Sequence, residues 1–563
     1  MHRRMLAAAA ALTATAVAGA ALTDPAAGEP PPHAGPPPHA GPPPHAGGPG
    51  VGGSPVGVEL TEIGRYTAPD AGFDEGGAEI VAHDTASQRL FVANGSEGTV
   101  DVLDISDPSA PQLVEQVDLS RYGDGITGVG ARDGLVGVAV QPADAQAEPG
   151  RAVFLDADSL EILADVEAGF GPDALIIAPD ASVAMVANEG EPNDAYTVDP
   201  EGSITIVDLD TFAATQVGFE GFTEADLDDS VRIFGPGASV AQDLEPENIT
   251  YSADSGTAWV TLQENNAIAE VDVSAGEVTD IVGLGFKDWR TAGNGFDASN
   301  ADDEINIRDW PVLGIPHPDA LAAYQVRGHT FLVTANEGDA RSYDGYSEEE
   351  RLADVTLCDD VRYDGMGPEE LQQDENLGRL NITTANGFDE DRGCLAEIYA
   401  YGARSFSIYT PGGDLVYDSG SDFEDVTAEV LGRNGFNANN DETGPDAFDT
   451  RSDDKGPEPE GVAVGRAYGN TYAFAGLERV GGVLTYQVTD PAEPEFVSYT
   501  TGRDFDAPTP EESVDLGPEG VLFVPDDESP TGRPLVVLSH EVTGSTTIYQ
   551  VDPVTPGRGR RGR

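Results

Sequence analysis

Pro172-Asp173-Ala-Leu-Ile-Ile-Ala178, then Ala184-Met-Val-Ala187, Asn188-Glu189-Gly190 and Ser203-Ile-Thr-Ile-Val-Asp208: this stretch sets the pattern for the whole chain. An acid after proline opens the unit and two short apolar runs follow. A Glu-bearing turn then precedes a run rich in Val, Ile and Asp. Short β-branched runs bounded by Gly, Pro, Asn and Asp read as strands. The order returns from Pro246-Glu247 through Ala258-Trp-Val-Thr261 to Gln263-Glu264-Asn265, and from Pro318-Asp319 to Asn336-Glu337-Gly338. It returns again from Pro459-Glu460-Gly461 to Leu477-Glu478-Arg479, and from Pro518-Glu519-Gly520 to His540-Glu541. The separations from opening acid to Glu are 16, 17, 18, 18 and 22 residues.

A fixed internal period is the signature of a repeat architecture. A first unit runs from Glu79 to Asn94-Gly95 without a proline, and a degenerate one lies around Gly128 to Asp156. Seven units of about four short strands each predict an all-β, seven-bladed β-propeller of the WD40/YVTN-like kind, because one blade cannot bury both of its faces alone. The strand near Gly57 to Tyr66 is expected to complete the last blade. Asp319 and Glu460 are 141 residues apart, so that blade must carry a large insertion. The insertion holds Cys358 and Cys394, the only two cysteines, which suit one disulfide in an oxidising compartment. Ser347-Glu-Glu-Glu350 has the pattern of a helix capping box.

Around this body, residues 56–552, the ends have their own character. His2, Arg3 and Arg4 precede an Ala/Leu/Val run and Ala18-Gly19-Ala20, which predicts a signal peptide over 1–21. Residues 22–55 form a Pro/His/Gly-rich spacer in which Pro-Pro-Pro-His-Ala-Gly repeats three times. Its His33, His39 and His45 could offer weak metal ligands, but they read first as spacer composition. Residues 553–563 form a basic tail. No later stretch reaches the roughly 18 apolar residues of a membrane span. A secreted or extracellular monomer, loosely surface-associated, is the expectation.

The chain carries 101 acids against 29 bases, a formal charge of −72, which excludes nucleic acid as a partner and points to cations. Lys287 and Lys455 are the only lysines. The first strand of each propeller blade lines the central channel, so Asp173, Glu247, Asp319, Glu460 and Glu519 should gather at one mouth. The turns bearing Glu189, Glu264, Glu337, Glu478 and Glu541 should lie near the same end. Charges about 5 Å apart at an effective dielectric near 20 repel by about 3 kcal/mol per pair. Such a ring calls for bound cations, proton uptake or nearby bases such as Arg341 and Arg479. If no cation is bound, each acid would instead cap a turn or pair locally. The expected metal ligands are Asp173, Glu189, Glu247, Asp319, Glu337, Glu460 and Glu519, and the expected cofactor is a divalent cation, calcium.

Two loops are also dense in oxygen ligands. Asp297-Ala-Ser-Asn-Ala-Asp302-Asp303-Glu304 resembles the start of a calcium loop, but an EF-hand needs Gly where Asp302 stands and Glu where Arg308 stands. Asn437-Ala-Asn-Asn-Asp441-Glu442, continuing through Asp446, Asp449, Asp453 and Asp454, is the second. Ion binding and a solvated loop stand level there. His317 and His540 precede the acids Asp319 and Glu541, and either could serve as a proton-transfer group.

Asn188-Glu-Gly-Glu-Pro-Asn193, Asn336-Glu-Gly-Asp-Ala-Arg341 and Arg451-Ser-Asp-Asp-Lys-Gly-Pro-Glu-Pro-Glu-Gly461 resemble the choice-of-anchor I family, which is similar to mesenchyme-specific cell surface glycoproteins. The resemblance implies an extracellular or surface-held propeller and transfers no catalytic residues. An acidic, calcium-binding propeller serving in interaction with an extracellular ligand or surface polymer is therefore the first functional expectation. The alternative is a metal-dependent phosphoesterase, alkaline phosphatase-like, or a lactonase. There Glu337, Glu460 and Glu519 would hold the ion, His317 or His540 would move the proton, and Arg341 and Arg479 would clamp phosphate.

Overall fold

The computed structural model describes residues 57–69 and 71–554. The expected signal peptide, the Pro/His/Gly spacer and the tail beyond residue 554 lie outside the described residues. Among the described residues, seven antiparallel four-stranded sheets follow one another in chain order. The first comprises Val81–Asp84, Arg89–Asn94, Thr99–Asp104 and Gln112–Asp118. The next three open with Gly125–Arg132, Pro172–Ile177 and Pro246–Tyr251. The fifth joins Pro318–Val326 and His329–Asn336 to Ser405–Tyr409 and Leu415–Asp418. The sixth opens with Pro459–Ala467 and the seventh with Pro518–Val524.

The innermost strands pack against one another from sheet to sheet, and Pro518–Val524 packs against Val81–Asp84, so the cycle closes. This is a β-propeller. Closure uses both ends of the chain, because Gly57–Thr67 pairs antiparallel with Ser545–Val554 from Gly57 opposite Val554 to Thr67 opposite Ser545. That pairing draws residues 553 and 554, expected in the tail, into the last strand, and it makes Gly57–Thr67 the outermost strand of the seventh sheet.

Burial follows from this packing. The second strand Arg89–Asn94 is buried along nearly its whole length, whereas the outer strand Gln112–Asp118 is mostly exposed. Apolar faces of adjacent sheets interlock, as where Ile204 and Val217 of the third sheet meet Ile249, Val260 and Ile281 of the fourth. Each sheet thus depends on its neighbours for its core.

The insertion lies between the second and third strands of the fifth sheet and builds a core of its own. Leu352, Leu357, Leu371, Leu380 and Leu395 pack with Trp289, Phe296 and Trp310 from the segment preceding that sheet. Val312–Ile315 runs parallel to Ile398–Tyr401, stitching the two segments together. Cys358 and Cys394 are joined by a disulfide, with Cα atoms 5.1 Å apart. The short helix expected at Ser347–Glu350 does not form. Glu349–Arg351 instead pairs with Asn381–Thr383, and Glu348 turns inward to the Arg232 guanidinium. A buried ion pair and a strand partner outweigh one exposed helical turn.

Candidate functional site

In five sheets the first strand slips register just after its proline, between Pro172 and Leu175, Pro246 and Ile249, Pro318 and Leu321, Pro459 and Val462, and Pro518 and Val521. Such a bulge frees the acid from the ladder and re-aims its side chain. Proline suits the step because it has no N–H to leave unpaired. The glycine that follows in Pro-Glu-Gly has a separate reason. A Cβ on Gly461 would stand 2.1 Å from the Glu519 carbonyl, and one on Gly520 would stand 2.6 Å from that of Glu79. The backbone of each acid therefore leans on the previous sheet. In the second sheet Thr127 precedes the equivalent Gly128, which sits against Asp173, so this unit contributes a hydroxyl where the others contribute an acid.

The two expected tiers do converge. Glu519 feels Glu79, Glu541, Asp319 and Asp173, and Glu460 feels Glu478, Glu519, Asp319 and Glu337. Burial first, and these neighbours next, hold both carboxyls well above their usual range. The same holds for Glu189, Glu247 and Asp319. Burial and Glu191 push Asp173 up to about 7, and burial with Glu541 and Asp173 pushes Glu79 up to about 8. One carboxylate oxygen each of Glu460 and Glu519 is buried without a hydrogen-bond partner among the described residues. A cavity of about 80 Å³ along the axis is lined by Asp173, Asp319, Glu519, Thr127, Asn248 and Gly461.

The register corrects one member of the second tier. Pro246 pairs with Leu262, so Gln263, and not Glu264, occupies the place held elsewhere by Glu189, Glu337, Glu478 and Glu541. Gln263 donates to the Glu337 carboxylate at 2.8 Å. Glu264 follows one residue on, pushed up to about 7 by burial, against the pull of Arg341.

A second arrangement stands beside the ring. Glu337, Glu458 and Glu478 are buried and offer carboxylate oxygens within 4.8 Å of one another, close enough to share a metal ion. The protein's own cations already face them. The Lys455 ammonium is 3.0 Å from Glu337 and 3.7 Å from Glu458, and Arg479 bridges Glu458 at 3.0 Å and Glu478 at 2.8 Å. Arg451 adds a further ion pair to Glu458. Burial opposes the Glu458 charge, yet Arg451, Lys455 and Arg479 together hold its carboxyl well below the usual range. Burial likewise opposes the Lys455 charge, and Glu337, Glu458 and Asp339 drive its ammonium well above.

Of the candidate proton-transfer and clamp residues, His317, His540 and Arg341 are buried, whereas Arg479 is half-buried and held by Glu458 and Glu478. His317 is fully buried with Nε2 2.7 Å from Arg232, and burial followed by Arg232 drives its imidazole well below the usual range. His540 is fully buried with Nδ1 3.2 Å from the Ser545 carbonyl, and burial lowers it too. Arg341 is sealed between Asp243 and Glu245, over the Phe234 ring. Sequence reasoning did not place Glu79, Glu191, Glu245, Lys455 or Glu458 in the candidate site. Glu79 alone had a repeat signal, without its proline.

A closed ring of four-stranded sheets with carboxylates converging on its axis defines the class: an acidic β-propeller. The choice-of-anchor I domain matches residues 79–491, and the chain belongs to that family. It is similar to Gigasin-3a of Magallana gigas, 31% identical over 194 residues, covering 32% of this chain and 66% of that protein. It is also similar to the mesenchyme-specific cell surface glycoprotein of Strongylocentrotus purpuratus, 29% identical over 273 residues, covering 44% of this chain and 35% of that protein. The chain thus spans less than two thirds of either relative. Among solved structures, the β-propeller domain of Myceliophteria thermophila Cps50 (Swd1) covers 87% of this chain and is itself 99% covered, at 9% identity and TM-score 0.42. Among the described residues no helix is long and apolar enough to cross a membrane.

Proposed function

We propose that this chain is a seven-bladed propeller acting outside the cell or at its surface, and that its axial carboxylates bind divalent cations, calcium foremost. The cation-loaded mouth would be the face offered to an extracellular ligand or surface polymer. The observation that carries this reading is the convergence of Asp173, Asp319, Glu460 and Glu519, which come from four different sheets, with buried oxygens of Glu460 and Glu519 left unpartnered. Carboxylate oxygens at several points of one water-sized space are what a hard cation takes. The surface glycoprotein among the relatives supports the location. His317 and His540 are held too deep to serve a hydrolytic site, so the reading assigns them no proton transfer.

Calorimetric titration of chelator-treated protein with calcium tests the reading, run beside the Glu460→Gln/Glu519→Gln double variant. Calcium should bind and raise the melting temperature of the parent, and the double variant should lose the axial share of both effects. Absence of heat and of any thermal shift at millimolar calcium would sink the proposal.

A further inference from the structure

The two oxygen-rich loops that do not contribute to the channel meet each other. Asp297 and Asp449 are both buried, at 0% and 2% exposure, and the Asp297 charge is felt at Asp449. A hydrogen-bond chain ties them into one unit. Ser452 donates to Asp449, Asn437 donates to Ser452 at 2.8 Å and to Glu424 at 3.0 Å, and the other Glu424 oxygen accepts the Asp297 N–H at 2.7 Å. A carboxylate only accepts, so these contacts fix the Asn437 amide with its NH₂ toward Glu424 and Ser452. Its carbonyl oxygen then points the other way.

That carbonyl oxygen, on a side chain with no exposed surface, lacks a hydrogen-bond partner among the described residues, and so does Asp449 Oδ2. Both orphans are oxygen acceptors, and buried acceptors are ordinarily satisfied. The buried cation that contacts both loops is already engaged. The terminal nitrogens of Arg404 donate to the Asp297 carbonyl and Glu424, and to the carbonyls of Ser452 and Asp454. Asp302, half-buried on the first loop, adds a third carboxylate within electrostatic reach of Asp449. Burial, then Asp297, pushes the Asp449 carboxyl up to about 9, and burial, then Glu424, pushes Asp297 up to about 7. The Asp297 carboxylate oxygens accept the Ser299 and Asn306 N–H groups, and each keeps a lone pair for a further partner. A cation with several oxygen ligands meets all these acceptors at once.

We infer that the loops 297–306 and 437–452 form a second cation site, in which Asp449, Asn437 and Asp297 ligate one hard divalent cation of the calcium class. The ion would lock the loop leading into the sixth sheet to the segment preceding the fifth. The site resembles no EF-hand, because its ligands come from two distant stretches brought together by Glu424 and Ser452. It is independent of the axial reading: none of its residues lies on a first strand.

Terbium, which takes oxygen ligands as calcium does, is the probe. Trp289 lies 4.2 Å from Phe296, the neighbour of Asp297, so excitation of tryptophan should sensitise terbium bound here. In the full chain, calcium should displace that emission. Asp449→Asn should weaken terbium binding by at least about tenfold, while Glu460→Gln/Glu519→Gln leaves it in place. Hydrogen exchange on the unmutated protein serves as a check that needs no variant, with calcium expected to slow exchange across 297–306 and 436–453. Emission untouched by Asp449→Asn, or exchange in these loops indifferent to calcium, would overturn the inference. Loss of emission in the channel double variant alone would assign the ion to the axis instead.

Discussion

Glu458 and Glu460 stand on either side of Pro459, and both are withdrawn from bulk water, yet their surroundings oppose one another. Glu458 faces Arg451, Lys455 and Arg479, and its carboxyl is held low. Glu460 faces Glu478, Glu519, Asp319 and Glu337, and its carboxyl is held high. The bulge after Pro459 accounts for the difference, because it turns the second acid to the axis while the first stays against the loop that carries Lys455. The chain thus contains two kinds of acid cluster. One is neutralised from within and acts as structure; the other lacks internal counter-charge and is left to outside cations or protons.

The largest expected effects, of similar size, fall on the neutralised side and on the insertion. Glu458→Gln removes the one carboxylate that Arg451, Lys455 and Arg479 share, leaving each base only part of its pairing, and should cost about 3 kcal/mol in chemical denaturation. A loss below about 1 kcal/mol would erase the contrast. Replacing both Cys358 and Cys394 by Ala should cost about 3 to 4 kcal/mol by the chain-entropy estimate for a separation of 36 residues. Hydrogen exchange should speed up within 337–404, with the axial response to calcium retained. Global loss of protection would mean the insertion is no separate core.

The pH dependence tests the other side. The axial acids keep their protons in the folded chain to about pH 7 for Asp173 and about pH 8 for Glu79, whereas in the unfolded chain they ionise near pH 4. Between those limits the folded state binds more protons, so these groups make unfolding easier as pH rises. In chelator the melting temperature should therefore drop by several degrees from pH 6 to pH 8, and calcium should restore it. A flat profile would mean the ring is already neutralised. The smallest effect is expected from Glu460→Gln without calcium at pH 8, a gain of about 1 kcal/mol and a shallower pH slope, because one repelling charge is removed. A loss instead would make Glu460 a structural partner like Glu458.

The repeat was legible because each unit states it locally, in a proline, an acid, two apolar runs and a turn. The closing strand Gly57–Thr67 and the gathering of the opening acids followed from that period, and the disulfide from the presence of just two cysteines in one segment. The helix expected at Ser347–Glu350 failed because Glu348 had a distant partner in Arg232, 116 residues away. Glu264 was assigned one place out of step because the unit was aligned on its acid, whereas the pairing of Pro246 with Leu262 puts Gln263 in the equivalent place. Lys455 carries no periodic signal, and its partner Glu337 is 118 residues away.

What the sequence determined by itself is the all-β repeat, the number and position of its opening acids and the net charge, since these rest on short-range alternation and simple counting. What only the tertiary structure decided is which acids meet bases and which meet each other. That depends on ring closure and on loops crossing between sheets, which bring residues more than a hundred positions apart within 3 Å, and Coulomb energy at that range outweighs any local preference.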